Sequence, residues 1–254
     1  MLVIPVIDIQ NGKCVRFVEG LSDKTIYYSE SPINLARLFR KENAKTLHIT
    51  DLDGAISGEM INYSTIKDIV DTIGIPVQLG GGIRSYEIAK QLIEELGIYR
   101  VVLGTAVVEN LPLLEKLLDE YGSSKIVVSI DVRNGFFVKT GWTVQTNIPG
   151  VHIAKQLNKI GVTRIIYQDV SKVGSLSGPN IEGLKEIAIE SRLKVTAAGG
   201  IGSYKDLKAV QELEEFGVDS VMISRALYEN RFPCQTIWRE VEKLDTSLDL
   251  PKVK

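Results

Sequence analysis

Two aspartates occupy matching places in the two halves of the 254-residue chain. Asp8 lies at the end of the apolar run at residues 3–9, Asp131 ends the run at 126–131, and a glycine follows each four residues later, Gly12 or Gly135. Two carboxylates facing one pocket can serve as acid and base, because burial and mutual repulsion separate their affinities for protons. The plainer account of either one is an aspartate capping a turn before its glycine. Their recurrence as a pair favours the chemical account.

A second pair of features suits phosphate. Gly80-Gly81-Gly82-Ile83 and Gly199-Gly200-Ile201 each follow an apolar run and lead to a serine, Ser85 or Ser203, placed to cap a helix. Glycines there let backbone N–H groups approach an anion that a helix N-terminus also attracts. Leu103-Gly104-Thr105-Ala106 offers further donors beside the first turn, and Ile223-Ser224-Arg225-Ala226 beside the second. The expected anion sites are therefore Gly81, Gly82, Gly104 and Thr105, and Gly199, Gly200, Ser224 and Arg225. Tight turns need glycine anyway, but two such sites imply a ligand with a phosphate at each end.

The elements that must carry these residues alternate regularly. Short β-branched runs fall at residues 3–9, 46–51, 77–79, 100–103, 126–131, 164–169, 194–197 and 220–223. Amphipathic helical patterns lie between and after them, at 33–42, 64–72, 86–96, 111–120, 152–159, 181–190, 204–216 and 236–244. Eight βα units predict an α/β fold of the closed (β/α)8 TIM-barrel kind, with polar residues at the C-terminal strand ends forming the active face. A doubly wound open sheet has less support, because the first turn, Asp8-Ile9-Gln10-Asn11-Gly12, lacks a glycine triplet.

The halves also overlay. "VIPVIDIQNGKCVRF" matches "IVVSIDVRNGFFVKT" at a shift of 123 (131 − 8), "GGIRSY" matches "GGIGSY" at 118 (199 − 81), and "GIYRVVLGTAVVEN" matches "GVDSVMISRALYEN" at 120 (217 − 97). Two repeated half-barrels, at about 1–122 and 123–244 followed by a short polar tail, are expected to form one domain over 1–254.

Composition narrows the function. Thirty basic residues against thirty-two acidic ones, scattered along the chain, argue against a nucleic-acid partner. The apolar opening is short and lacks a basic start, and no apolar run approaches the roughly 20 residues of a membrane span, so a soluble cytoplasmic protein is expected. A monomer is the expected state, although no sequence feature fixes it. Cys14 and Cys234 have neither disulfide nor metal-ligand spacing.

The segments "IPVIDIQNGKCVRF", "LHITDLDGAISGE", "QLGGGIRS", "VVLGTA", "SIDVRNG" with "TGW", "GSLSGPN", "AAGGIGS" and "RALYEN" run from the first strand to the last. With them the chain resembles the phosphoribosylformimino-5-aminoimidazole carboxamide ribotide (ProFAR) isomerases of histidine biosynthesis. Cys14-Val15-Arg16 and Gly141-Trp142 look like these isomerases rather than the sister cyclases. The resemblance implies an Amadori rearrangement of an aminoaldose to an aminoketose, on a bisphosphorylated sugar-nucleotide, with no metal and no redox cofactor. It makes Asp131 the acid that protonates the ribose ring oxygen and Asp8 the base that removes the C2 proton. Trp142 is then placed either to stack on the imidazole carboxamide or to pack under its loop. Arg16 pairs with a phosphate or is simply solvated, and His48 orients the site or is a satisfied core histidine.

Departures from the family pattern gather after the sixth strand. Gln168 stands where the family usually has threonine, and Val173 where its Arg-Asp-Gly-Thr has aspartate. In the internal overlay Asp53 falls on Val173 at a shift of 120 (173 − 53), Gly80 on Ala198 and Gly104 on Ser224. Val144 replaces a residue that is often acidic. Valine neither accepts nor donates a proton, so a slow isomerase and a relative that only binds its ligand both stay open. Asp8 and Asp131 favour the slow isomerase.

Overall fold

The computed structural model describes residues 1–18, 21–104, 108, 110–139 and 142–232. Val- and Ile-rich runs with both faces covered make parallel strands, and among the described residues twelve strands follow one another in chain order. They are β1 (Leu2–Gln10), β2 (Lys13–Val18), β3 (Leu21–Ser29), β4 (Leu47–Asp51), β5 (Val77–Gly80) and β6 (Arg100–Leu103). The second half supplies β7 (Ile126–Arg133), β8 (Phe136–Lys139), β9 (Val144–Pro149), β10 (Arg164–Asp169), β11 (Lys194–Ala198) and β12 (Val218–Ile223). Eight of them, β1, β4, β5, β6, β7, β10, β11 and β12, pair in parallel as a ring, which the β7–β10 and β12–β1 pairings close. This is the (β/α)8 barrel that the alternation predicts. Four ring steps separate β1 from β7, so Asp8 and Asp131 belong to opposite walls.

Among the described residues the helices include α1 (Pro32–Lys41), α2 (Leu52–Ser57), α3 (Tyr63–Ile73), α4 (Tyr86–Lys90), α5 (Leu111–Tyr121), α6 (Gly150–Ile160), α7 (Ile181–Ser191), α8 (Tyr204–Gln211) and α9 (Arg225–Tyr228). Their apolar stripes pack on the outside of the ring: Ile66 and Ile69 of α3, Leu114 and Leu117 of α5, and Leu184 and Ile187 of α7 are buried. Inside the ring, Val102, Val127, Ile166 and Ala198 form a small apolar layer with Met222 against it. Near the N-terminal strand ends, Arg164 makes a two-pronged pair with Asp219 at 2.5 and 2.6 Å and reaches Ser220 and Thr196. Ser85 and Ser203 cap α4 and α8 as expected, accepting from Ile88 N at 3.2 Å and Asp206 N at 3.3 Å.

Several boundaries differ from those the sequence pattern suggests. The first and fifth barrel strands continue past Asp8 and Asp131 and turn back as antiparallel hairpins, β1–β2–β3 and β7–β8–β9. Both turns are Asn-Gly with two consecutive left-handed residues, Asn11 at φ 50° and Gly12 at 72°, and Asn134 at 53° and Gly135 at 80°. That dipeptide between β-rich runs is a strong hairpin signal, and the repeat carries it twice. The helix expected at 86–96 changes to a π-helical turn at Gln91–Glu95, and the one expected at 204–216 ends at Gln211 before a 3₁₀ turn at Glu214–Phe216. The pattern expected at 236–244, and Cys234, lie outside the described residues.

Candidate active site

Asp8 sits in β1 opposite Thr50 of β4 and Val15 of β2. The Asn11-Gly12 turn folds β2 back along β1, and Arg16 thereby places Nη1 on Asp8 Oδ2 as an ion pair, the two side chains 11% and 6% exposed. A pair this enclosed holds each charge only while the other is present. His48 is buried beside it, with Nε2 3.2 Å from Thr50 Oγ1 and Nδ1 unpartnered among the described residues. Burial pushes its imidazole down to about 4, against the pull of Asp8 and with the help of Arg16, so His48 is neutral at physiological pH. Its partner is Thr50; Asp51, close to it in sequence, instead accepts from Gly54 N and Asn62. Cys14 is also buried here, and burial together with Asp8 pushes its thiol up to about 12, which removes it as a nucleophile.

Asp131 has neutral partners. Trp142 Nε1 donates to its Oδ2 at 2.8 Å, while Ser129 Oγ and Gln168 Nε2 donate to Oδ1 at 3.0 and 3.3 Å. Burial pushes the carboxyl above its ordinary range, and these three hydrogen bonds offset part of the rise. No described cation pairs with it. Trp142 has a left-handed backbone, φ 71°, which is costly for a bulky residue, and its indole N–H is engaged with the carboxylate. Ser129 is not among the residues that the sequence motifs single out, although it lies two residues before Asp131 on the same face of β7, a relation that strand periodicity gives directly.

A cleft at the C-terminal strand ends is bordered by a hydrogen-bond partner of each carboxylate, Arg16 of Asp8 and Gln168 of Asp131. Arg16, Gln168, Gly174, Gly199, Gly200, Ser224 and Arg225 line it, with Val6, Ala198 and Met222 as its apolar wall. It therefore gathers the second expected anion site, the cation on Asp8 and the amide on Asp131. No backbone acceptor among the described residues takes the N–H of Gly199, Gly200, Ser224 or Arg225. Arg225 is held from behind, its Nε donating to Glu229 Oε1 at 2.6 Å and its Nη1 to Gly174 O. Glu229 also accepts from Tyr28 of β3, so this network binds the first hairpin to the cleft wall; nothing in the local sequence marks it.

The first anion site is partly described. Gly104 has open space around it, Thr105 lies outside the described residues, and Gly81 and Gly82 have φ of 98° and 74°. A Cβ at Gly81 would stand 2.1 Å from Asp51 O, and one at Gly82 2.7 Å from Gly54 O. In the second half a Cβ at Gly200 would stand 2.2 Å from Gly178 O. Each glycine turn thus also lets successive loops pack backbone to backbone.

Comparison with known proteins fits this geometry. The histidine biosynthesis protein family matches residues 2–233. The chain belongs to that family. A relative from Prosthecochloris aestuarii, named 1-(5-phosphoribosyl)-5-((5-phosphoribosylamino)methylideneamino) imidazole-4-carboxamide isomerase, is 45% identical over 243 residues, covering 96% of this chain and 93% of its own. Proteins of the same name from Pelodictyon phaeoclathratiforme and Salinibacter ruber are 46% and 43% identical over 249 residues, each covering 98% of this chain and 96% of its own.

Against the histidine biosynthesis family pattern, the structure clarifies the two departures. Val173 is buried, with its N–H 3.3 Å from Val170 O, just before Gly174 at the cleft wall. Its overlay on Asp53 does not hold in three dimensions. Asn62 donates to Asp51 at 2.7 Å and Asn180 to Asp169 at 2.8 Å, and these equivalent anchors share a shift of 118 (169 − 51 and 180 − 62). Between those anchors the two segments fold differently, Asp51 accepting from Gly54 N and Asp169 from Ser171 N, so the repeat gives Asp53 no position-for-position counterpart. Gln168 is engaged: it donates to Asp131 and faces the cleft.

Among the described residues no helix is long and apolar enough to cross a membrane, and no group of His, Cys, Asp and Glu is arranged to hold a metal.

Proposed function

We propose that this chain isomerises ProFAR, the aminoaldose implied by its relatives' name, to the corresponding aminoketose, with Asp131 as general acid and Asp8 as general base. The observation that supports it best is the contrast between the two carboxyl groups on opposite walls. Asp131, desolvated among neutral donors, is biased toward holding a proton, as a group that must protonate the ribose ring oxygen should be. Asp8, paired with Arg16, is placed as the carboxylate that takes the C2 proton of the opened Schiff base. Ring opening by Asp131, proton removal by Asp8 and tautomerisation of the enolamine complete an Amadori rearrangement using the chain's own groups.

In this reading the ligand spans the barrel mouth, one phosphate on Gly199, Gly200, Ser224 and Arg225 and the other on Gly81, Gly82, Gly104 and Thr105. Trp142, already on Asp131, borders the imidazole carboxamide. The enzyme acts as a cytoplasmic monomer on this small molecule. Turnover of ProFAR by the purified protein, coupled to the next enzyme that consumes the ketose, tests the assignment. No turnover, with phosphate still bound, would favour the second reading, a barrel that keeps its ligand but has lost catalysis through Val173 and Gln168.

A further inference from the structure

Arg16 belongs to two sites at once. Its Nη1 pairs with Asp8, and the same side chain forms part of the cleft wall with Gly199, Gly200, Ser224 and Arg225. Its Nε is buried and has no hydrogen-bond partner among the described residues, so the guanidinium has a donor to spare. The other cation on that wall is already committed, Arg225 to Glu229 and to Gly174 O. The cleft thus offers an incoming anion one arginine already neutralised by a carboxylate outside the catalytic pair and one whose only described anionic partner is the candidate base.

We propose that an anion entering this cleft competes with Asp8 for Arg16, so that filling the phosphate site draws the guanidinium off Asp8 and frees that carboxylate to accept a proton. A buried guanidinium cannot be left without a counter-charge, but a phosphate replaces the carboxylate as that counter-charge, so the exchange is inexpensive where simple breakage of the pair is not. Binding of the non-reacting end of the ligand is then used at the reacting carbon. The catalytic part of this inference rests on Asp8 being the base. The competition itself does not.

Competition must be reciprocal: whatever holds Arg16 on Asp8 weakens the anion by the same factor. The test is calorimetric titration of inorganic phosphate into the parent, Asp8→Asn, Arg16→Met and the double variant, with Ser224→Asp identifying the binding event that belongs to this cleft. Asp8→Asn is expected to bind phosphate about tenfold tighter, a typical coupling between linked sites, and to lose that gain in the Arg16→Met background. An equal gain without Arg16 would mean a long-range charge effect and overturn the proposal, as would no gain, or no phosphate bound in the parent cleft. Should Asp8→Asn fail to fold, NMR of the unmodified protein decides. The resonances of the Arg16 guanidinium and the Asp8 carboxyl must shift together as phosphate saturates the cleft, and an Asp8 signal that stays put would refute the exchange. None of these measurements uses turnover, so a protein inactive on ProFAR would still reveal whether Arg16 changes partners.

Discussion

In the first half of the barrel the hairpin turn is fastened by side chains. Asn11 N donates to Asp53 Oδ2 at 2.6 Å and Gly12 N to Asn62 Oδ1 at 3.0 Å. In the second half the matching turn is joined to its surroundings by a backbone bond, Gly150 N to Gly135 O at 2.9 Å, and the Asn180 side chain bonds Asp169 and Gly183 N rather than the turn. The aspartates the hairpins enclose differ in the same way. Asp8 faces a cation delivered by its own hairpin, whereas Asp131 faces an indole, a hydroxyl and an amide. One chain path used twice therefore places two carboxyl groups in different electrostatic surroundings, one beside a cation and one desolvated among neutral donors, because the strand fixes position while the residues that return toward it fix charge.

Removing either carboxylate is the largest break. Asp8→Asn and Asp131→Asn should each lower turnover by at least about a thousandfold, the scale of a lost general acid or base, and near-parental turnover of either would end the assignment. Their stabilities should move in opposite directions. Asp8→Asn leaves Arg16 buried and unpaired and should cost about 3 kcal/mol in a denaturant melt. Asp131 has a raised folded-state affinity for its proton, so its contribution is present at low pH and lost as pH rises through the folded value. At neutral pH Asp131→Asn should accordingly raise the Tm by a few degrees.

Restoring the family's residues sharpens the contrast from the other side. Val173→Asp, alone and with Gln168→Thr, is expected to raise the rate on the order of a hundredfold, the usual worth of one transition-state contact. Recovery of nothing from a silent parent that still binds phosphate would transfer the case to the non-catalytic reading. Because Val173 is buried, the single variant should also melt earlier.

His48 belongs to the Asp8 side only and gives that side its own pH signature. Its folded value of about 4 lies below the ordinary 6.5, so the stability it contributes is complete above 6.5 and lost as pH falls toward 4. About 3 kcal/mol should disappear over that window, and His48→Gln should flatten the loss. An unchanged slope would mean that His48 is not the group titrating. The smallest effect concerns the loops after the second and sixth barrel strands: Asp53→Ala, which loses its ties to Asn11 N and Asn62, and Ser171→Ala, which loses its hydroxyl bond to Asp169, should each destabilise by about 1 kcal/mol in a denaturant melt.

The sequence by itself determined the barrel, because eight β-branched runs spaced by amphipathic stretches have few other ways to bury both faces of a parallel sheet. It also determined the pairing of Asp8 with Asp131 and of the two glycine turns, since duplication leaves its record in residue order. The hairpins were missed by periodicity, although their Asn-Gly dipeptides are a signal that could have marked them. Only the tertiary structure decided which groups surround each aspartate. Arg16, Trp142 and Gln168 reach their carboxylates from a returning hairpin, a loop and a neighbouring strand, and Glu229 meets Tyr28 across 201 residues of chain. Composition cannot specify such meetings, because a side chain's electrostatic environment depends on distance and desolvation, and both are set when the ring closes and water is excluded.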